Sequence, residues 1–168
     1  MRIALTLSVL MLTIVPCFAD PPSRVRGTSP KETGLIMELL ARSETARALV
    51  AEIESTDLIV YVQYGAELAT GRAVTRLATA TLEHRYLRVI LAPMTHPADR
   101  GALLAHELQH AVEIGRVPDV RDDDGMRRLF AEIGEDRNAR FAFETAAARE
   151  IGARVLRELA MGARRRGE

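Results

Sequence analysis

The pattern of apolar and polar positions predicts helices on either side of a small group of strands. Apolar residues recur at helical spacing after Ser29-Pro30 and again after Ser43, and both serines are suited to cap a helix. Three runs that are β-branched, aromatic or alternating follow and predict strands: 58–62, 74–82 and 86–91. Helical spacing returns afterwards in three further segments: 97–114, 126–133 and 138–161. The order of elements predicts a single α+β domain over residues 29–163.

The ends of the chain have patterns of their own. Residues 3–15 carry no charge, follow Arg2, and lead through Pro16 to the small residue Ala19, which is the layout of a secretory signal peptide over residues 1–19. Thirteen residues are fewer than the ~20 that cross a bilayer. A retained anchor and a lipoprotein acylated at Cys17 are the alternatives. Residues 20–28 predict a flexible leader, and residues 164–168 a basic tail.

Composition narrows the classes of partner. The chain has 23 basic and 23 acidic residues, so its formal charge is zero, which argues against a nucleic-acid binder. The single cysteine, Cys17, lies in the predicted signal peptide, so the mature chain would use neither disulfides nor cysteine-ligated metals. We expect an exported protein, periplasmic or secreted, without stable membrane association after cleavage. Its oligomeric state is not indicated by the sequence.

The chemistry is concentrated in the helix predicted over residues 97–114. His106 and His110 are four residues apart, so both imidazoles lie on one helix face and can bind the same ion. Glu107 lies beside the first histidine, where it can reach a metal-bound water. The alternative is a helix with two half-buried histidines paired to carboxylates.

This HExxH segment resembles the zincin metallopeptidases. The resemblance implies a zinc ion held by His106 and His110, with Glu107 as general base for a zinc-activated water that attacks an amide bond. In the metzincin branch a glycine and a third histidine follow the motif, whereas this chain has Glu113 and Arg116 at those places and no histidine after His110. The chain is therefore similar to the gluzincin branch, whose third ligand is a carboxylate.

Periodicity selects Glu144 as that third ligand. It falls on the apolar stripe of the last predicted helix, which comprises Phe141, Ala148, Ile151, Val155 and Leu159. A buried carboxylate is costly unless a cation compensates it. The gluzincin resemblance agrees, because a small residue, Ala147, follows Glu144 by three. The aspartate that orients a ligand histidine in some of these families is replaced by Ala148.

Other carboxylates remain open as alternatives. Glu132, Glu135 and Asp136 lie in a segment that is hard to place. A buried Glu144 paired with an arginine is a further possibility. Glu113 is too far along the same helix to bind the ion together with both histidines, but it can act on a ligand from behind. Glu150 and Arg154 predict a solvated pair.

Two features remain undecided by sequence. The sequence does not select the residue that would donate a hydrogen bond to the oxyanion. The candidates are the arginines, three tyrosines and two histidines: Tyr61, Tyr64, Tyr86, His84 and His96. In zincins an edge strand ahead of the metal helix often binds the extended substrate, and 86–91 stands in that position here, with an ordinary internal strand as the alternative.

We therefore expect an exported zinc-dependent metallohydrolase, most simply a peptidase acting on a peptide or protein substrate. The competing interpretation is a non-catalytic envelope protein in which the metal site is a structural clip. Hydrolysis of an amide in a non-peptide envelope component is a third interpretation. All three require the same metal ligands. Glu107 performs chemistry in the two hydrolases and not in the structural clip.

Overall fold

A computed structural model describes residues 23–69, 72–135 and 144–164 of the chain. Within them the fold is α+β, as the sequence predicts, and its elements in chain order are β1 (Val25–Gly27), α1 (Pro30–Arg42), α2 (Glu44–Glu54), β2 (Leu58–Tyr64), β3 (Ala73–Ala80), β4 (Arg85–Leu91), α3 (Pro97–Gly115), α4 (Asp123–Ile133) and α5 (Ala146–Arg164). None of the described helices is long and apolar enough to cross a membrane.

Side-chain caps determine where the first helices begin. The Ser29 hydroxyl accepts a hydrogen bond from the backbone N–H of Lys31 at the start of α1. The Ser43 hydroxyl accepts one from Ala46 at 2.9 Å at the start of α2. The His96 imidazole accepts one from Ala98 at the start of α3. These caps satisfy N–H groups that have no partner within the helix, so the local sequence is sufficient to place these three boundaries.

The four strands form one sheet in the order β1-β2-β4-β3. β1 and β4 both pair with β2 in parallel, and β3 pairs antiparallel with β4. The prediction that residues 86–91 form an edge strand is therefore wrong, because β4 lies between β2 and β3. Leu87, Val89, Ile90 and Leu91 are all buried, as befits an internal strand. The edge strand beside α3 is β3.

Two predicted segments differ from the structure near their ends. The flexible leader over residues 20–28 is wrong for Val25–Gly27, which form β1, because Val25 is buried in the core and pairs with Val60. The last helix begins at Ala146 rather than at residue 138. The predicted signal peptide, residues 136–143 and residues 165–168 lie outside the described residues.

One face of the sheet packs on the helices, whereas the opposite face, which includes the buried Ile59 and Ile90, lies outside that core cluster. Val60, Val62, Leu87 and Val89 are fully buried and belong to the core cluster. In the same cluster α3 contributes Leu104, Ala105, Leu108, Ala111, Val112 and Ile114. Since strand residues alternate between faces, the intervening side chains point away from this core. The core therefore holds α3 flat against the sheet, with β3 at its side.

Candidate metal centre

His106 and His110 lie one turn apart on α3, and their rings meet edge to face with centroids 4.9 Å apart. Glu144 lies two residues before the start of α5, a helix that packs along α3. One ligand atom from each of these three residues lies within 4.8 Å of the other two. The structure thus brings together the three predicted ligands. Glu144 reaches the cluster from the segment before α5, so its predicted place on a helical stripe is wrong.

Glu144 contains an oxygen atom that the described residues leave without a hydrogen bond. Its Oε1 is buried and has no donor among them, and it lies 3.6 Å from Nε2 of His106. Buried polar atoms nearly always have a partner, because desolvation without one costs free energy. A cation between the carboxylate and the two imidazoles would supply that partner, so the donor set fits a metal ion.

The electrostatics of the cluster suit a cation as well. Burial, and then the neighbouring His110, lower the pKa of His106 to about 4. His106 is therefore neutral at physiological pH, and its ring nitrogen has a lone pair available for a metal. Burial also raises the pKa of Glu144. A positive charge at the cluster reverses that effect and favours the ionised carboxylate.

Glu107 is held by the edge strand. The Thr75 hydroxyl, on β3, donates a hydrogen bond to Oε2 of Glu107 at 2.7 Å. Both side chains are buried. Burial raises the pKa of Glu107, and the hydrogen bond from Thr75 opposes that effect. A buried carboxylate with a raised pKa beside a candidate metal site is suited to accept a proton.

Glu113 orients His110 from behind. Its Oε2 lies 2.8 Å from Nδ1 of His110, and its Oε1 accepts a hydrogen bond from the Thr145 hydroxyl at 2.7 Å. Burial opposes ionisation of Glu113, but these hydrogen bonds outweigh it and lower its pKa. An ionised Glu113 assigns the proton to Nδ1, which leaves Nε2 of His110 free for a metal. Glu113 thus occupies the role that Ala148 cannot fill.

Thr145 joins the two helices at the site. Its hydroxyl donates to Glu113 on α3 and accepts from the backbone N–H of Ala148, so it also caps α5. Because Thr145 directly follows Glu144, this bond holds Glu144 beside the histidines. No sequence signal indicated Thr75. Thr145 could have been noticed as a capping residue ahead of a run of alanines.

The alternative candidates lie elsewhere. Glu135 pairs with Arg149, and Glu150 pairs with Arg154 at 2.6 Å on an exposed face, as predicted. Glu132 is exposed, and Asp136 is outside the described residues. Among the candidate oxyanion donors, Tyr61 on β2 and Tyr86 on β4 alternate with core positions. His84 lies in the turn before β4, and His96 caps α3. The ring of Tyr64 lies under the ammonium group of Lys31.

The chain was compared with protein-family models, with curated proteins and with solved structures, and no match was found in any of the three.

Proposed function

We propose that this protein is an exported zinc-dependent metallopeptidase with a zincin-like domain, in which His106, His110 and Glu144 hold the metal. The single observation that carries the proposal is the convergence of these three side chains, from two separate segments, around a buried carboxylate oxygen to which no described residue donates a hydrogen bond. Two imidazoles and one carboxylate are a typical ligand set for catalytic zinc. Zinc bound there would polarise a carbonyl group and lower the pKa of water.

The chain's own residues supply the remaining parts. Glu107 is adjacent to the first ligand and can accept a proton from water and pass it to the leaving amine. Thr75 restricts the rotamer of Glu107 through its 2.7 Å hydrogen bond. Glu113 fixes the ring of His110, and Thr145 fixes the segment that carries Glu144. A purely structural clip does not require a buried carboxylate held next to the ligands, so Glu107 favours the enzyme over the clip.

The proposal is tested first by metal content. Purified protein spanning residues 20–168 is expected to retain about one zinc per chain by elemental mass spectrometry. Glu144→Ala is expected to weaken zinc binding more than ~100-fold, beyond the 10–100-fold cost of losing an outer-shell partner. Affinity is measured by competition with a chromophoric chelator, and Glu150→Ala, an exposed glutamate on α5, is the matched control.

Two results contradict this assignment of ligands. If wild-type protein holds no metal after zinc is supplied and the excess is removed, His106 and His110 are ordinary core histidines. Glu144→Ala protein that binds zinc as tightly as wild type would exclude Glu144 as the third ligand. Circular dichroism of each variant establishes that it is folded before its affinity is compared.

A second prediction concerns the residues behind the ligands. Glu113→Gln keeps the side-chain volume but removes the charge that faces Nδ1 of His110, and we expect zinc affinity to fall about 10–100-fold. Thr145→Val is expected to have a similar effect, and Thr145→Ser to restore affinity. Asp122→Ala removes the cap of α4 and is the control for loss of a cap alone. Unchanged affinity in both Glu113→Gln and Thr145→Val would exclude a positioning role.

A further inference from the structure

A row of arginines crosses the sheet face that points away from the core. Strand register places Arg26, Tyr61, Arg88 and Arg76 directly opposite one another, in the order β1, β2, β4 and β3. Directly opposite residues point to the same face of a sheet. Arg76 and Arg88 are both exposed, and Arg26 and Tyr61 are partly buried. Three of the four strands thus contribute a positive charge to a single row.

The two exposed arginines of this row have no counter-charge among the residues that the structure describes. Like charges directly opposite each other destabilise a sheet, yet neither Arg76 nor Arg88 makes an ion pair or a side-chain hydrogen bond with any described residue. Some exposed arginines elsewhere do pair, Arg116 with Glu52 and Arg154 with Glu150, and others such as Arg157 on α5 make no pair with the described residues. Arg76 and Arg88 differ from these in that strand register places them directly opposite each other. The unpaired charges at Arg76 and Arg88 make this part of the row suited to an anionic partner.

The row ends at β3, the strand that also holds Glu107. Among the described residues β3 pairs only with β4, so its outer edge presents free backbone groups. Thr75 and Arg76 are consecutive and therefore point to opposite faces. Thr75 contacts Glu107 on the core face, and Arg76 continues the row on the other. An extended peptide added at this edge would meet both faces at neighbouring positions.

We propose that the edge of β3 takes extended peptide substrates that carry an aspartate or glutamate beside the cleaved bond. The substrate residue opposite Thr75 then faces the side of the sheet where Glu107 lies. The next residue faces the other side and continues the row, where a carboxylate can pair with Arg76 and lies two strands, about 10 Å, from Arg88. This inference rests on the proposed function, because it assigns a substrate class to the same site.

The test is peptide binding rather than turnover. Zinc-loaded Glu107→Gln protein is titrated against short fluorescein-labelled peptides that differ only in one central residue, glutamate or glutamine. The glutamate peptide is expected to bind up to about fivefold tighter, the limit for one cross-strand charge pair. In the double variant Arg76→Gln/Arg88→Gln the two peptides are expected to bind equally. Arg154→Gln, an exposed arginine on α5, is the matched control and should keep the preference.

Moving the glutamate along the peptide sharpens the test. Since side chains of a strand alternate, the preference should follow every second position. The inference is overturned if both peptides bind equally to protein that retains Arg76 and Arg88. It is also overturned if the preference for glutamate survives in the double variant. So does binding of a single-stranded oligonucleotide that depends on both arginines without any peptide preference. These results would leave the proposed function intact. Absence of zinc from the protein would contradict the proposed function, whether or not the arginines affect peptide binding.

Discussion

Glu107→Gln is expected to abolish peptide hydrolysis and to leave zinc content unchanged. Glutamine has the shape of glutamate and can still accept the hydrogen bond from Thr75, but it cannot take a proton from water. General-base catalysis contributes about 10²–10⁴-fold, so kcat should fall on the order of 10³-fold. The measurement is turnover of a mixed peptide library by mass spectrometry, with elemental analysis of the same sample.

The matched control is Glu150→Gln, the same change on an exposed face of α5, which should keep full activity. The result separates the two interpretations of the site. In a structural clip Glu107→Gln would change neither activity nor zinc content. Detectable wild-type hydrolysis that survives the substitution would mean that another residue is the base. Loss of zinc together with activity would instead place Glu107 among the ligands.

Arg85→Met is expected to produce the largest loss of stability in this protein. Arg85 is fully buried at the start of β4. Its Nη1 donates to the carbonyl oxygens of Ile114, Val117 and Val120 near the end of α3, and its Nε and Nη2 contact the Asp57 carboxylate. Removing one partner of such a network leaves buried polar groups unpaired and costs about 3–5 kcal/mol.

The change in free energy of unfolding is measured by urea denaturation. Arg88→Met is the control, because it makes the same substitution on β4 at an exposed position, where we expect at most about 0.5 kcal/mol. A loss of that small size at Arg85 would contradict the structural role assigned here. The network matters for the site because it anchors the C-terminal end of α3 to the sheet, and α3 carries both histidines.

The same network predicts a dependence of stability on pH. The hydrogen bonds from Arg85 lower the pKa of Asp57 below its usual value of 3.8. A carboxylate with a lower pKa in the folded state contributes stability above its unfolded pKa, and this stability is lost as the pH falls through the folded value. Asp57→Asn should therefore be less stable than wild type at neutral pH, and the difference should shrink below about pH 4. A difference that grows towards acid pH would contradict this.

Local sequence was sufficient for the features that involve residues close together in the chain. The caps at Ser29 and Ser43 and the periodicity after them predict the starts of α1 and α2, which the structure confirms. The four-residue spacing of His106 and His110 on a helix requires no knowledge of the rest of the fold. For the same reason Glu113, three residues after His110, could be proposed to act behind it, and the structure places it there.

Tertiary structure decided every feature that depends on which elements are neighbours. Strand order made β3 the edge and placed Thr75 against Glu107, although 32 residues separate them in the chain. Glu144 reaches the histidines although it precedes α5, because that helix packs along α3 and Thr145 binds Glu113. The row that ends at Arg76 exists only through register between strands. Periodicity reports which face of an element is buried, whereas long-range packing determines what that face meets.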